Sequence, residues 1–336
     1  MIGALVGLLT APFVVPHLHL RPPPARVEHA AGRKLAAGWA FVDPALEQPL
    51  AAARPMSPVY EALAQALARP PSAGDERLRA LVRLNLDRAR ILPPDLGLPY
   101  ILVNPAAQKL WLYQGGRVRL EMPVVVGKPS EPTPNLAGLI RFAVLRPYWN
   151  IPPDLVRDTV APHVLREGEA YLARQHYEVL SDWSAAAVVL PPQAVEWTAV
   201  AAGRRMLRVR QLPGPNNMMG QLKLMLPNPL GVYLHDTPNK ALFGQDRRTE
   251  SAGCVRLADA QALAEALFGH ALTADPAAGP EQRVDLASPV PVYIVYLTAM
   301  ARPGGGVTLF PDIYRRDQRI QPFAPPTSST TPKIAR

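Results

Sequence analysis

Apolar positions recur along this chain with two different periods, and the change of period divides it. Over 57–68 (SPVYEALAQALA), Leu63 and Leu67 lie four apart, Pro58 suits a first helical position and Ser57 offers a side-chain cap, which together predict a helix. A second helix is predicted over 80–92, where Leu78, Leu81, Leu84 and Ile91 trace one face and Pro93-Pro94 stops it. From Tyr100 the texture is that of strands: 100–104 (YILVN), 109–113 (KLWLY), a turn at Gln114-Gly115-Gly116, then 117–126, which alternates before becoming continuously apolar. That is a β-meander opening a new domain. Pro152-Pro153-Asp154 starts a helical segment running towards Val164, with the Asp154 carboxylate well placed near its N-terminus. Residues 206–211, 222–226 and 232–235 read as strands and 257–268 as a helix with Leu263, Leu267 and Phe268 on one side. Residues 290–297 form a strongly β-favouring buried strand. A brief strand follows Arg302-Pro-Gly-Gly-Gly306, and then comes a polar, proline-rich tail.

The two ends read differently from the middle. Ile2 to Val15 is an apolar run broken by Thr10 and Pro12, the length of the apolar part of an export signal and short for a spanning helix. No Lys or Arg precedes it, and Ala30-Ala31 makes a poor cleavage site. The expectation is an export signal or membrane anchor over 1–20, which would place the rest in the periplasm or cell envelope; a buried N-terminal strand or helix is the plainer alternative. Residues 21–55 read as a Pro/Ala-rich linker.

Composition narrows the class further. Proline accounts for 40 of 336 residues, which disfavours a long helical bundle. With 48% hydrophobic and 19% charged residues the chain can bury a core, yet nowhere does an apolar run reach the length a multi-pass membrane protein needs. The net charge of +9 favours an anionic partner: nucleic acid, anionic lipid or an acidic polymer. Of these, nucleic acid is not expected, because no binding motif appears and the basic residues are spread along the chain.

There is one cysteine, Cys254, so neither an internal disulfide nor a paired-thiolate zinc site can form. It is either an inert buried side chain or a nucleophile. A nucleophile needs an imidazole nearby. Of the seven histidines, His17, His19 and His29 lie in the leader and linker; His235 ends an apolar strand just before the Asp236-Thr237-Pro238 turn, where a side chain reaches a sheet rim. Ser251-Ala252-Gly253-Cys254 puts the thiol after small residues and before the helix expected near Leu257. In that setting the Gly253 and Cys254 amides, aided by a helix N-terminus, would converge on an oxyanion. Spacing alone leaves both readings of the cysteine open.

The segments Tyr233-Leu-His-Asp-Thr-Pro238 and Ser251-Ala-Gly-Cys-Val-Arg256 closely resemble the active-site signature of L,D-transpeptidases with the YkuD-type catalytic domain. The nineteen residues from His235 to Cys254 fit the long, periplasmic murein-transpeptidase branch, as do Tyr148-Trp-Asn-Ile-Pro-Pro153, Arg210-Gln-Leu-Pro-Gly214 and Asn217 to Gly220 ahead of Leu222 to Asn228. The similarity runs from about Tyr100 to Met300. One position departs from it: the family's usual His before Gly-Cys is Ala252, so no second imidazole can assist from there.

The resemblance implies a mainly β fold with α elements, a β-sandwich catalytic domain over 99–300 with a partly helical lid inserted at about 152–210. Ahead of it would lie the linker and helical segment, 21–98, and after it a C-terminal strand and disordered tail, 301–336. It further implies peptidoglycan cross-linking, with Cys254 as nucleophile, His235 as proton donor and acceptor, and Gly253 in the oxyanion hole. Ser251 would hydrogen-bond across the turn, and Arg256 would pair with a substrate carboxylate or brace the loop. Tyr233, which shares the strand parity of His235, Trp149 and Asn216 are substrate-binding candidates. Donor tetrapeptide stems and acceptor amines are the implied partners, carbapenem-type β-lactams the implied covalent inhibitors, with an inner-membrane tether if the leader is retained; no metal or cofactor is implied. A hydrolase of the same fold and a non-catalytic wall-binding scaffold compete with this reading, whereas a papain-like peptidase would place Cys before His.

Overall fold

The computed structural model describes residues 55–68 and 76–319, so the expected export segment, most of the linker and the end of the tail lie outside the described residues. Among the described residues no helix is long and apolar enough to cross a membrane. Two helices lead in, α1 (Pro58–Ala68) and α2 (Glu76–Ala89), the second starting earlier than its apolar face suggests. Ser57 Oγ accepts the Tyr60 N–H at 3.3 Å, the expected cap.

The strands β1 (Tyr100–Asn104), β2 (Lys109–Gln114), β3 (Arg117–Val125) and β4 (Leu136–Leu145) come next in the chain. An insert follows, carrying β5 (Trp149–Ile151), β6 (Tyr177–Leu180), β7 (Val189–Leu190) and β8 (Arg208–Gln211). The main sheet then resumes with β9 (Leu222–Met225), β10 (Leu234–His235), β11 (Val255–Leu257) and β12 (Gln282–Ile294). The expected sandwich takes the form of a closed barrel of eight strands in the order β1-β12-β4-β9-β10-β11-β3-β2, which leaves no unpaired edge. Alternation sorts its side chains. Ile101, Val103, Leu222, Leu224, Leu234, Val255 and Leu257 point into the barrel core, so Lys223, His235 and Arg256 point out of it. Around β1, β2 and β12 the outer face is buried as well, with Leu102, Trp111 and Tyr293 packed against Leu63, Val82 and Leu86 of the helices. Burial on both faces is why 100–104 reads as an unbroken apolar run.

Among the differences from expectation, the expected strand over 290–297 is the end of a longer one, Gln282–Ile294, and two others bear on the barrel. Val255–Leu257 is not the start of a helix but strand β11, held between β10 and β3. The helix begins at Ala260 and ends at Phe268, and Asp259 caps it by accepting the Ala262 N–H at 2.8 Å. Strand β4 carries no clean alternation, because Gly138 and Arg141 interrupt it, and pairing with β12 and β9 completes it.

The insert has its own sheet, ordered β5-β8-β6-β7, and its own core, in which Ile151, Val164, Leu172, Val179, Trp197 and Val209 are buried. Beyond the barrel, β13 (Ala299–Ala301) pairs with β14 (Val307–Leu309). The following segment folds back: Tyr314 stacks on Tyr296 at 5.1 Å, and Asp317 takes Arg88 of α2 at 2.7 Å.

Candidate active site

Three neighbouring strands set one row of side chains on the outer wall of the barrel. His235 on β10 is in register with Lys223 on β9 and with Arg256 on β11, and partners in register project from the same face. Tyr233, two residues before His235, shares that face. The insert covers this wall through Tyr148, Trp149, Pro152 and Leu155, enclosing a cavity of about 350 Å³ that Cys254, His235, Tyr233, Arg256, Lys223 and Ser251 also line. The sole sulfhydryl and the strand-end imidazole therefore open into one space.

His235 is fully enclosed, 2% exposed. Its Nδ1 lies 2.5 Å from the backbone carbonyl oxygen of Asp236. A carbonyl can only accept, so Nδ1 carries the proton and Nε2 keeps its lone pair. Burial, reinforced by the Arg256 guanidinium, pulls the imidazole from 6.5 down to about 4. Burial also pushes the Cys254 thiol up, opposed by a backbone hydrogen bond from Tyr233 and by Arg256. At neutral pH the two groups thus rest as thiol and neutral imidazole.

A stability signature follows from the buried imidazole. The unfolded chain binds this proton near 6.5 and the folded chain only near 4, so protonation favours unfolding between those values. Acidification from pH 6.5 towards 4 is expected to remove about 3 kcal/mol of stability through His235, with no further loss through this group below that window. Denaturant unfolding of the protein and of His235→Gln across the window measures it: the variant should lack this component.

The turn bearing Cys254 is braced from both sides. Ser251 Oγ donates to the Cys254 carbonyl at 2.6 Å and accepts the Gly253 N–H at 3.2 Å. Gly253, with φ of 103°, adopts a backbone that L side chains disfavour. Thr133, fully buried, accepts the Gly127 N–H at 2.8 Å and donates to the Gly253 carbonyl at 2.9 Å. Tyr314 in turn donates to the Gly127 carbonyl at 2.8 Å. The C-terminal segment is thereby linked, through Gly127 and Thr133, to the peptide preceding Cys254.

The His235 side is fixed by its neighbour. The Asp236 carboxylate accepts the Gln221 N–H at 2.9 Å and pairs with Lys240 at 2.6 Å, while its carbonyl holds the imidazole. Gly220 packs beneath it with φ of 64°, and a Cβ there would meet the Asp236 side chain at about 2.4–2.5 Å. Gly220→Ala is expected to cost about 2–4 kcal/mol, combining left-handed strain with overpacking. Thermal unfolding checks the loss, and activity should fall beyond it because Asp236 must shift.

Of the residues singled out from sequence, Cys254, His235, Ser251, Arg256, Tyr233 and Trp149 meet at the cavity. Gly253 and Asn216 do not. The Gly253 amide is turned to Ser251 Oγ, whereas the Cys254 N–H has no protein acceptor among the described residues. Asn216 is exposed on the Gly214-Pro215 turn, and its buried neighbour Asn217 is the residue that ties that loop together, donating to the carbonyls of Pro147, Gln211 and Leu212. Among the described residues no helix N-terminus points at the sulfur, because β11 lies between Cys254 and the helix that begins at Ala260. Lys223, Met218, Met219 and Thr133 were not singled out: Lys223 reads as the solvent side of an alternating strand, and Thr133 belongs to no motif.

Compared with known families, residues 98–292 match the model described as YkuD, the L,D-transpeptidase catalytic domain. A Haemophilus influenzae protein provisionally named an L,D-transpeptidase is 30% identical over 256 residues, covering 74% of this chain and 50% of its own length. The chain therefore spans about half the length of that curated relative. Among solved structures, the catalytic domain of an E. faecium L,D-transpeptidase acylated by ertapenem is 16% identical with a TM-score of 0.30, over 60% of this chain and 98% of that one. An L,D-transpeptidase from Mycobacterium smegmatis is 14% identical with a TM-score of 0.29, over 58% of each chain.

Proposed function

Since this chain belongs to the L,D-transpeptidase family and carries its YkuD catalytic domain over residues 98–292, we propose that it cross-links peptidoglycan stem peptides through a thioester on Cys254. One observation carries the reading: a neutral imidazole with a free Nε2 opens into the same walled cavity as the chain's sole thiol. His235 Nε2 takes the Sγ proton as sulfur attacks the carbonyl joining stem residue 3 to D-Ala4. The Cys254 N–H is the amide left to bind the oxyanion. Collapse breaks the C–N bond, and His235 returns the proton to the leaving D-Ala amine. The acceptor, a residue-3 side-chain amine, then loses its proton to His235 and attacks the thioester. A new amide forms, the C–S bond breaks and the sulfur regains its proton, giving a 3→3 link.

Arg256 supports the recognition of an anionic substrate. It has no salt-bridge partner among the described residues, and its Nε is buried without an acceptor. A carbapenem-type β-lactam would acylate Cys254 by the same attack, its ring opening in place of amine departure. We place the protein in the periplasm or cell envelope, exported or tethered to the inner membrane by the apolar segment at its start.

Incubation with a tetrapeptide-stem muropeptide, followed by chromatography and mass spectrometry of the products, tests the reading. A 3→3 dimer with released D-Ala supports transfer. Free tripeptide without dimer means that water resolves the thioester and the protein is a hydrolase. No product at all leaves a wall-binding scaffold.

A further inference from the structure

We propose that Lys223 is a specificity-determining residue, binding the free carboxylate of the leaving D-amino acid in a subsite on the β9 side of His235. The assignment rests on the transpeptidase reading and deepens it. The order of the strands carries it: the nucleophile immediately precedes β11, the base lies on β10, and Lys223 lies in register on β9. Reaction groups therefore follow one another across the wall at the strand spacing of about 4.8 Å. The acyl part of the stem stays on the Cys254 side, and the departing amine must stand at His235 to receive its proton. The carboxylate carbon of that D-amino acid is two bonds, about 2.5 Å, from the departing nitrogen. Directed away from Cys254, that carboxylate comes within reach of the Lys223 side chain on the next strand.

Lys223 suits this place. It lines the cavity and is only 9% exposed, and a buried ammonium ion is costly unless anions face it. Its partner in the protein is Glu281, at the long distances of 3.2 and 3.4 Å. The nearer carboxylate oxygen, Oε1, also accepts the Tyr148 N–H at 2.7 Å. An ammonium has three donors, and Glu281 engages at most two of them. Glu281 thus positions Lys223 without saturating it. Across His235, Arg256 supplies a second cation, so the cavity brackets a neutral imidazole with two positive charges, an arrangement suited to an anionic ligand.

A donor ending at residue 4 presents a carboxylate to Lys223, whereas a donor extended by one residue presents a neutral amide there. The test compares a tetrapeptide donor bearing a free C-terminal carboxylate with the same donor amidated. Acyl-enzyme formation is measured on the unmodified protein, Lys223→Met and Lys223→Arg, with circular dichroism and iodoacetamide alkylation of Cys254 as checks on folding. The unmodified protein should prefer the acid by about 30-fold or more in kcat/KM, Lys223→Met should reduce that preference to within about 3-fold, and Lys223→Arg should retain most of it. Equal losses on both donors, or an undiminished preference in Lys223→Met, overturn the assignment alone. Absence of acylation of the unmodified protein by either donor overturns the transpeptidase reading and the subsite with it.

Discussion

Replacing Cys254 with alanine is expected to reduce turnover of a tetrapeptide-stem donor to the uncatalysed background, a fall of at least about 10⁴-fold, because every step of the proposed chemistry passes through the sulfur. Stability should scarcely change. The thiol is half-buried, donates over a long 3.7 Å to the Gly231 carbonyl and accepts from the Tyr233 backbone N–H, so truncation leaves no large cavity and releases only these two weak sulfur contacts. Ser251 and Thr133 hold the turn through backbone atoms of residues 253 and 254, which alanine retains. Binding should also survive, since Lys223, Arg256 and Tyr233 remain, and a catalytically dead protein that still binds the donor separates loss of chemistry from loss of fold. Measuring kcat/KM, donor affinity and melting temperature on one preparation checks all three. Appreciable turnover by Cys254→Ala would mean that another group is the nucleophile.

His235→Gln is expected to lower kcat/KM by about 10²–10⁴-fold, the usual worth of a positioned general base. A glutamine fills a similar volume and can still donate to the Asp236 carbonyl, but offers no nitrogen of suitable basicity to take the thiol proton. The pH profile is the sharper readout. Because His235 stays neutral down to about 4, acylation by the unmodified protein should hold through pH 5–7 and fall only as pH approaches 4. An ordinary, solvated imidazole would switch activity off near 6.5 instead. A profile that falls near 6.5 would show that His235 is not held neutral by burial or is not the base.

Different parts of this architecture were legible to different degrees, for physical reasons. The meander from Tyr100 announces itself because local pairing across short turns leaves short β-favouring apolar runs set apart by a glycine turn in the sequence. Cys254 and His235 stand out because the sulfur is unique, the histidine closes an apolar strand, and both lie in a distinctive signature. Val255-Arg256-Leu257 misled as a helix start because its two apolar residues fit either period, although Asp259 carries the cap that marks the true start. Strand β4 escaped because its partners, β9 and β12, are remote in sequence. Lys223 escaped for a related reason: in Leu222-Lys-Leu-Met-Leu226 a lysine reads as facing water, and only the insert's cover turns that outer face into a cavity wall. Adjacency to the cysteine makes Gly253 read as an oxyanion donor, but the Ser251 hydroxyl takes its amide, a competition that no spacing rule reveals.

Intact-mass spectrometry of the protein mixed with a tetrapeptide-stem donor, in the absence of any acceptor amine, tests the cysteine mechanism most directly. The mechanism predicts a covalent gain equal to the donor less its terminal D-alanine, mapped by peptide digestion to Cys254 and absent from Cys254→Ala. A gain located on any other residue, or release of D-alanine by Cys254→Ala at the rate of the unmodified protein, would contradict it.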